Sequence, residues 1–305
     1  MRLAPLSIAA LLTAMSITPF AQQQAPAPFR TGVDAVMIDV SVFTGNMAVA
    51  GLTAGDFVLT DNGIQQSVTT AGVESLPVDL TLVLDASGSM NNVIDRIQRD
   101  TRTIAKGLRP DDGLRLITFA TLVSSAGLTR ARDVGDLNLP ETGGSTSFYN
   151  ALLSALVVAR RTGTADRRQL VVAMSDTDDS TSLLGPKDVQ KAAAASDAVL
   201  HLFKVSSPTG SIPASGWQPY WMSSDPPALT VIAEQTGGQA YFDQVVTDIP
   251  AKVAQVLSAF RTSYVLRYTA TGVKPEGWHE VVIRVNKPGK FVVRAKKGYF
   301  GAPGR

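Results

Sequence analysis

The sequence predicts an α/β protein: a doubly wound, mostly parallel sheet, inserted in or flanked by a small antiparallel β-sandwich formed by the N- and C-terminal segments. Two observations carry this expectation. Between residues 77 and 262, short apolar runs alternate with stretches of helical periodicity, the pattern of successive β–α units. Outside that span, at 33–76 and 263–300, apolar residues recur at every second position and turn pairs take the place of helices.

The elements follow in order. Met1-Arg2, an apolar stretch from Leu3 to Ile17, and Pro19-Phe20-Ala21 before a glutamine run have the layout of a secretory signal peptide cleaved near Ala21. Pro5 and Pro19 interrupt that stretch, which is short for a bilayer span. A linker at 22–32 follows, and the mature chain is expected to be exported, periplasmic or secreted, without a membrane span. Val36 to Val42 alternates as a strand, and Asp61-Asn62-Gly63 is a turn. Val78 to Leu84 is an unbroken apolar run apart from Asp79 and Thr81, as in a central parallel strand covered on both faces.

Val93, Ile94, Ile97, Ile104 and Leu108 mark a helix ending near Gly107 and Pro110. Leu114 to Phe119 is a strand, paired with Leu122 to Leu128 as an antiparallel edge hairpin. A helix over Phe148 to Arg160 buries Ala151, Leu152, Ala155 and Leu156, and leads to a strand from Leu170. Pro186 opens the next helix, followed by a strand Val199 to Val205. Thr230 to Gln235 is a helix closed by Gly237-Gly238, Ala240 to Phe242 a short strand, and a last helix runs from Asp248 to about Arg261. Tyr264 to Tyr268, Trp278 to Val285 and Phe291 to Ala295 are the closing strands.

The 305 residues suffice for a large α/β domain and a smaller β unit. A net charge of +2 with interspersed signs points away from nucleic acid. The absence of cysteine excludes disulfides, thiolate metal sites and cysteine nucleophiles.

The apolar run ends in Asp85-x-Ser87-x-Ser89, a carboxylate and two hydroxyls leaving a buried strand. Ligands of open parallel sheets collect beyond the carboxyl ends of the strands, and an all-oxygen set favours Mg²⁺, Mn²⁺ or Ca²⁺. Each residue also has a plain structural reading, as a helix cap or an Asx-turn.

D-x-S-x-S followed by Gly144-Ser145-Thr146-Ser147-Phe148-Tyr149-Asn150-Ala151-Leu152 and by a strand ending Ser175-Asp176 resembles the von Willebrand factor type A (VWA) family, whose metal ion-dependent adhesion site (MIDAS) opens with that motif. The resemblance implies a Rossmann-like sheet with Asp85, Ser87, Ser89, Thr146 and Asp176 around a Mg²⁺ ion (or Mn²⁺ or Ca²⁺). Ser145 is the competing register for Thr146, and Thr177 stands where the family has glycine. It also implies a function: a protein partner supplies a carboxylate that completes the metal's coordination.

The flanks resemble a narrower group, the bacterial exported VWFA-related proteins of the acidobacterial type. The likeness rests on Gly51-Leu52-Thr53-Ala54-Gly55-Asp56-Phe57 through Gly63, and on Tyr264-Val265-Leu266-Arg267-Tyr268 with Lys297-Gly298-Tyr299-Phe300.

Recognition rather than catalysis is therefore expected. Ser89 is not in a G-x-S-x-G elbow, and Ser87 replaces the second aspartate of a D-x-D phosphatase motif. His201 reads as a core or sheet-face residue, His279 as a surface cross-strand neighbour, and Asp178-Asp179 as a solvated acidic loop. A structural domain with a vestigial metal site is the alternative, with a metal-assisted hydrolase behind it. The irregular stretch 206–227 carries Trp217, Tyr220 and Trp221. These are either partner-binding anchors on the metal's face or aromatics folded back over the next helix.

Overall fold

The computed structural model describes residues 35–301 apart from 46, 74, 136, 138–140, 165 and 207–225. The signal peptide, the linker and the Trp217–Tyr220–Trp221 anchors expected from the sequence lie outside the described residues. The chain runs β1 (Val36–Thr44), β2 (Met47–Ala48), β3 (Phe57–Asp61), β4 (Ile64–Gln66), β5 (Val68–Val73), β6 (Val78–Asp85), α1 (Ile94–Lys106), β7 (Gly113–Phe119), β8 (Val123–Ser125) and β9 (Thr129–Arg130). It continues through α2 (Phe148–Thr162), β10 (Arg168–Ser175), α3 (Pro186–Ala195), β11 (Val199–Lys204), α4 (Pro226–Gln235), β12 (Ala240–Tyr241) and α5 (Ile249–Arg261). The closing strands are β13 (Tyr264–Tyr268), β14 (Gly277–Val285), β15 (Val292–Ala295) and β16 (Gly298–Gly301).

The central sheet has the order β12-β11-β10-β6-β7-β8. Its neighbours from β12 to β7 are parallel, while β8 and β9 both pair antiparallel with β7. Every residue of β6 and β10 is buried, as expected of strands with a helix layer on each face. On one face Leu80, Leu82 and Leu84 pack with Ile97 and Ile104 of α1 and with Val253, Leu257 and Phe260 of α5. On the other, Val83, Val171 and Ala173 pack with Ala151, Leu152 and Leu156 of α2, Val189 of α3 and Ile232 of α4. From β6 the chain crosses first to β7 and then to β10 on β6's other side, so the strand order reverses between β6 and β10.

Both ends of the chain contribute to two further sheets. One has the order β15-β1-β13-β5, with β2 on β1; the other is β16-β14-β3-β4, and all their pairs are antiparallel. A single buried cluster joins them, with Val40, Leu59, Phe57, Tyr264, Leu266, Tyr268 and Val281 among its members. The Tyr264 ring packs edge-on against Phe57, at 5.4 Å between centroids. Its hydroxyl accepts from Leu52 N and donates to Val49 O.

Two boundaries differ from those expected. α4 starts at Pro226 rather than Thr230, because two prolines at a helix start give up amides that would have no partner there. Gly298–Gly301 is a strand, paired with β14, although its two glycines carry no strand signal.

His279 is a correction. Expected at the surface, it is buried at 1 % exposure, while its neighbour Trp278 is 36 % exposed. The reason is a polar cluster inside the flanking sheets: Asp61 Oδ1 lies 2.8 Å from His279 Nδ1, and Asp61 Oδ2 accepts from the Tyr268 and Tyr299 hydroxyls, each at 2.9 Å. Asp61 thus gathers the histidine and two tyrosines as its partners, so the strand turns its histidine inward and its tryptophan outward.

Candidate metal centre

The switch between β6 and β10 is where an open parallel sheet parts its loops to form a crevice. Met174 lies opposite Leu84, so Ser175 and Asp85 leave the sheet side by side. After Asp85 the chain forms a 3₁₀ turn over Gly88–Met90, with Ser87 at its N-cap. Asp85 Oδ1 accepts from Ser87 N at 2.9 Å, an Asx-type contact that folds the loop back on the strand end. Ser87 Oγ and Ser89 Oγ lie 3.1 Å apart.

The loop before α2 is bound to this turn through the backbone. Gly88 N donates to Gly144 O at 3.1 Å and Gly143 N to Ala86 O at 2.9 Å. Gly144 has φ +75, and a Cβ there would strike the Thr121 hydroxyl, so glycine is required on both counts. Thr146 is buried and Ser145 exposed, which favours Thr146 in the register of the site. Ser147, not Thr146, is the N-cap of α2, and the Ser147 hydroxyl donates to Ala120 O.

The loop after β10 closes the third side. Thr146 N donates to Ser180 Oγ at 2.9 Å, and Thr146 O accepts from Ser180 N and Thr181 N. Asp179 is a second correction. It is buried rather than solvated, and Oδ2 accepts from Tyr149 N at 3.0 Å. With Ser182 Oγ accepting from Asn150 N, it takes up amides of the first turn of α2 that the helix itself leaves unsatisfied.

Asp85 and Asp176 are both fully buried. Burial pushes the Asp85 carboxyl up to about 6, opposed by hydrogen bonds from Ser175 and Ser87 and reinforced by the charge of Asp176. Asp178 is likewise pushed up to about 6, by burial and then by Asp176. Asp176 Oδ1 accepts from Asp178 N at 3.1 Å, while Oδ2 is buried with no partner among the described residues. Neither Asp85 nor Asp176 has an ion pair with a basic side chain among the described residues. No group of three His, Asp or Glu side chains is placed to hold a metal among those residues either. Any ion here must rely on hydroxyls. Hydrogen bonds thus draw together, at the carboxyl ends of β6 and β10, the three loops that carry Asp85, Ser87, Ser89, Thr146 and Asp176.

Ser175 and Ser180, which orient that set, were not among the residues singled out from the sequence. Ser175 had a signal, since it stands in the first position of the strand-end motif. Ser180 had none.

The sequence matches no protein-family model and no curated protein. Among solved structures it is similar to the ArnB paralog VWA2 from Sulfolobus acidocaldarius, at 12% identity and TM-score 0.44, covering 87% of this chain and 76% of that one. It is also similar to the pilus adhesin SpaC from Lactobacillus rhamnosus GG, at 11% identity and TM-score 0.46, covering 85% and 47%. A third is the D319A mutant of the PilB minor pilin from Streptococcus sanguinis, at 11% identity and TM-score 0.44, covering 62% of each chain. The matched region thus spans about three fifths of the PilB chain and under half of SpaC. No helix among the described residues is long and apolar enough to cross a membrane. By its strand order, and by the placing of the three motifs where that order reverses, the α/β unit has a von Willebrand factor type A-like fold.

Proposed function

We propose that this chain is an exported protein-binding module whose crevice is a MIDAS, holding Mg²⁺ (or Mn²⁺ or Ca²⁺) and capturing an acidic side chain of a partner protein. The observation that carries this reading is the buried, unpartnered Oδ2 of Asp176 beside a second buried carboxylate, Asp85. Two such groups without a basic partner are costly unless a cation offsets them. The donor set fits: Ser87, Ser89 and Thr146 would contribute neutral hydroxyls, and Asp85 and Asp176 carboxylate oxygens, directly or through water. A divalent ion so held is incompletely neutralised and accepts one more oxygen ligand, which a partner's Asp or Glu provides.

Thr177 separates this reading from a vestigial site. It holds φ 74, a left-handed conformation costly for a β-branched residue, and so keeps the turn in which the family has glycine. Strain of this kind persists where surroundings over-determine a functional geometry. Trp217, Tyr220 and Trp221, following the carboxyl end of β11, are proposed as partner contacts. The flanking sheets are taken as one β-sandwich with the α/β unit, 77–262, inserted in it; export and membership of the VWFA-related group belong to the same proposal.

The test is titration calorimetry of the chain with Mn²⁺, Mg²⁺ and Ca²⁺, then binding of a glutamate-bearing peptide with and without EDTA. Mn²⁺ binding lost in Asp85→Ala, with the fold intact by circular dichroism, supports the assignment. Undiminished Mn²⁺ affinity in that variant overturns it.

A further inference from the structure

The central sheet and the five-stranded sheet meet along β11, α5, β1 and β15, and a cavity of about 80 Å³ lies in the seam. Its polar walls are His201, Arg294, Ser41, Asp39, Gln255 and Tyr241. The seam is fixed on both sides. Arg168 of β10 pairs with Asp39 of β1 at 2.6 Å and donates to Phe260 O at 2.7 Å. Gly237, at φ +87, lies against the backbone of Ala295 and Lys296 with no room for a side chain.

The charge in this cavity is unbalanced. Arg294 lies over the Phe43 ring at 4.9 Å and makes no ion pair among the described residues. Lys252 sits over the Tyr241 ring at 4.0 Å. The one carboxylate in the wall, Asp39, is engaged by Arg168. His201 is 9 % exposed, is stacked 6.0 Å from Tyr241, and its Nδ1 has no hydrogen-bond partner among the described residues. Burial, then Arg294, then Lys252 hold its pKa down to about 3, against a hydrogen bond to the Gln239 backbone. The ring is therefore neutral, and it lines the cavity without adding a charge to it.

We propose that this seam is a binding site for a small oxyanion, placed between the cationic head of Arg294 and the Ser41 hydroxyl, beside the neutral ring of His201. On the scale where one water needs roughly 10–15 Å³, the cavity holds about five to eight water-sized atoms, enough for a phosphate or a short carboxylate. The oxygens of such an anion accept from Arg294 and Ser41. The groups facing His201 are Arg294 from β15, Lys252 from α5, Asp39 from β1 and Tyr241 from β12. Arg168 stands behind Asp39, and Asp243 acts on Lys252.

Calorimetry and thermal unfolding of the full chain in a sulfonate buffer, with inorganic phosphate or acetate at pH 5.5 and 7.5, test the proposal. Phosphate is expected to bind and to raise the melting temperature at both pH values. Acetate, smaller and singly charged, is expected to bind more weakly than phosphate at both. Whichever anion binds identifies the source chemistry. Arg294→Gln should weaken that binding about tenfold, and Ser41→Ala, a milder change that keeps the seam's charges, should weaken it less, both with Mn²⁺ affinity unchanged. The proposal is overturned if neither anion binds the wild type, if affinity survives in both variants, or if binding is lost in Asp85→Ala instead.

Discussion

The Ser175 hydroxyl donates to Oδ2 of Asp85 across 2.5 Å, from the last residue of β10 to the last residue of β6. The same Ser175 oxygen accepts from Thr177 N at 3.0 Å. One side chain therefore orients the first carboxylate of the site and closes the turn that carries the second. Groups behind metal ligands in this way tune affinity by roughly 10–100-fold.

Ser175→Ala is accordingly expected to weaken Mn²⁺ binding by about tenfold with little loss of fold. It should also raise the Asp85 carboxyl further, because the lost hydrogen bond favours the ionised form. Ser175→Thr should restore binding. Equal affinity in wild type and Ser175→Ala, by calorimetry at neutral pH, would show that Asp85 is held by other means.

Thr177 carries strain that glycine does not. A left-handed residue with a Cβ costs about 1–2 kcal/mol, against roughly 0.5–1 kcal/mol for the extra chain entropy of glycine. Thr177→Gly is thus expected to stabilise the protein by up to about 1 kcal/mol, or roughly 2–4 °C in melting temperature, leaving metal affinity unchanged. A denaturant midpoint lower than wild type would mean that the buried Thr177 side chain contributes more packing than its backbone loses.

His201 predicts a pH dependence of stability. Its folded pKa, about 3, lies below the ordinary 6.5, so the unfolded chain binds the extra proton first. The neutral-ring stability is complete above pH 6.5 and is lost as pH falls from there toward 3, at no more than about 1.4 kcal/mol per pH unit. Unfolding curves in phosphate- and acetate-free buffer from pH 7.5 to 4.5 should show this slope, and His201→Gln should flatten it. An unchanged slope in the variant would assign the acid sensitivity to other groups.

What the sequence disclosed and what it hid divide along physical lines. β6 and β10 are continuous apolar runs and α1 is strongly periodic, so local pattern alone announces them. The D-x-S-x-S turn is equally local. His279 was misplaced because a histidine's burial depends on partners far along the chain, here Asp61 and Tyr299. Asp179 was misread for the same reason: an acidic pair in a loop resembles a solvated edge until the first turn of α2 arrives to use it. Gly298–Gly301 becomes a strand only because β14 offers an unpaired edge.

The flanking sheets yield the last prediction. β1 pairs with β13 and β15, and β3 pairs with β14, so every long strand of the N-terminal segment depends on a partner beyond Ser263. The buried Asp61 cluster adds three C-terminal side chains, Tyr268, His279 and Tyr299. A chain ended at Ser263 would leave β1 and β3 with open edges and Asp61 without those partners, a loss of several kcal/mol on the scale of about 1–3 kcal/mol per unsatisfied buried group. Residues 35–73 are then expected to lose amide-exchange protection, while 78–261 keep it, because the layers on β6 and β10 are drawn from that span alone. Protection retained in β1 after the truncation would show that the N-terminal strands stand without the C-terminal ones. It would also remove the basis for treating the two flanks as one folded unit.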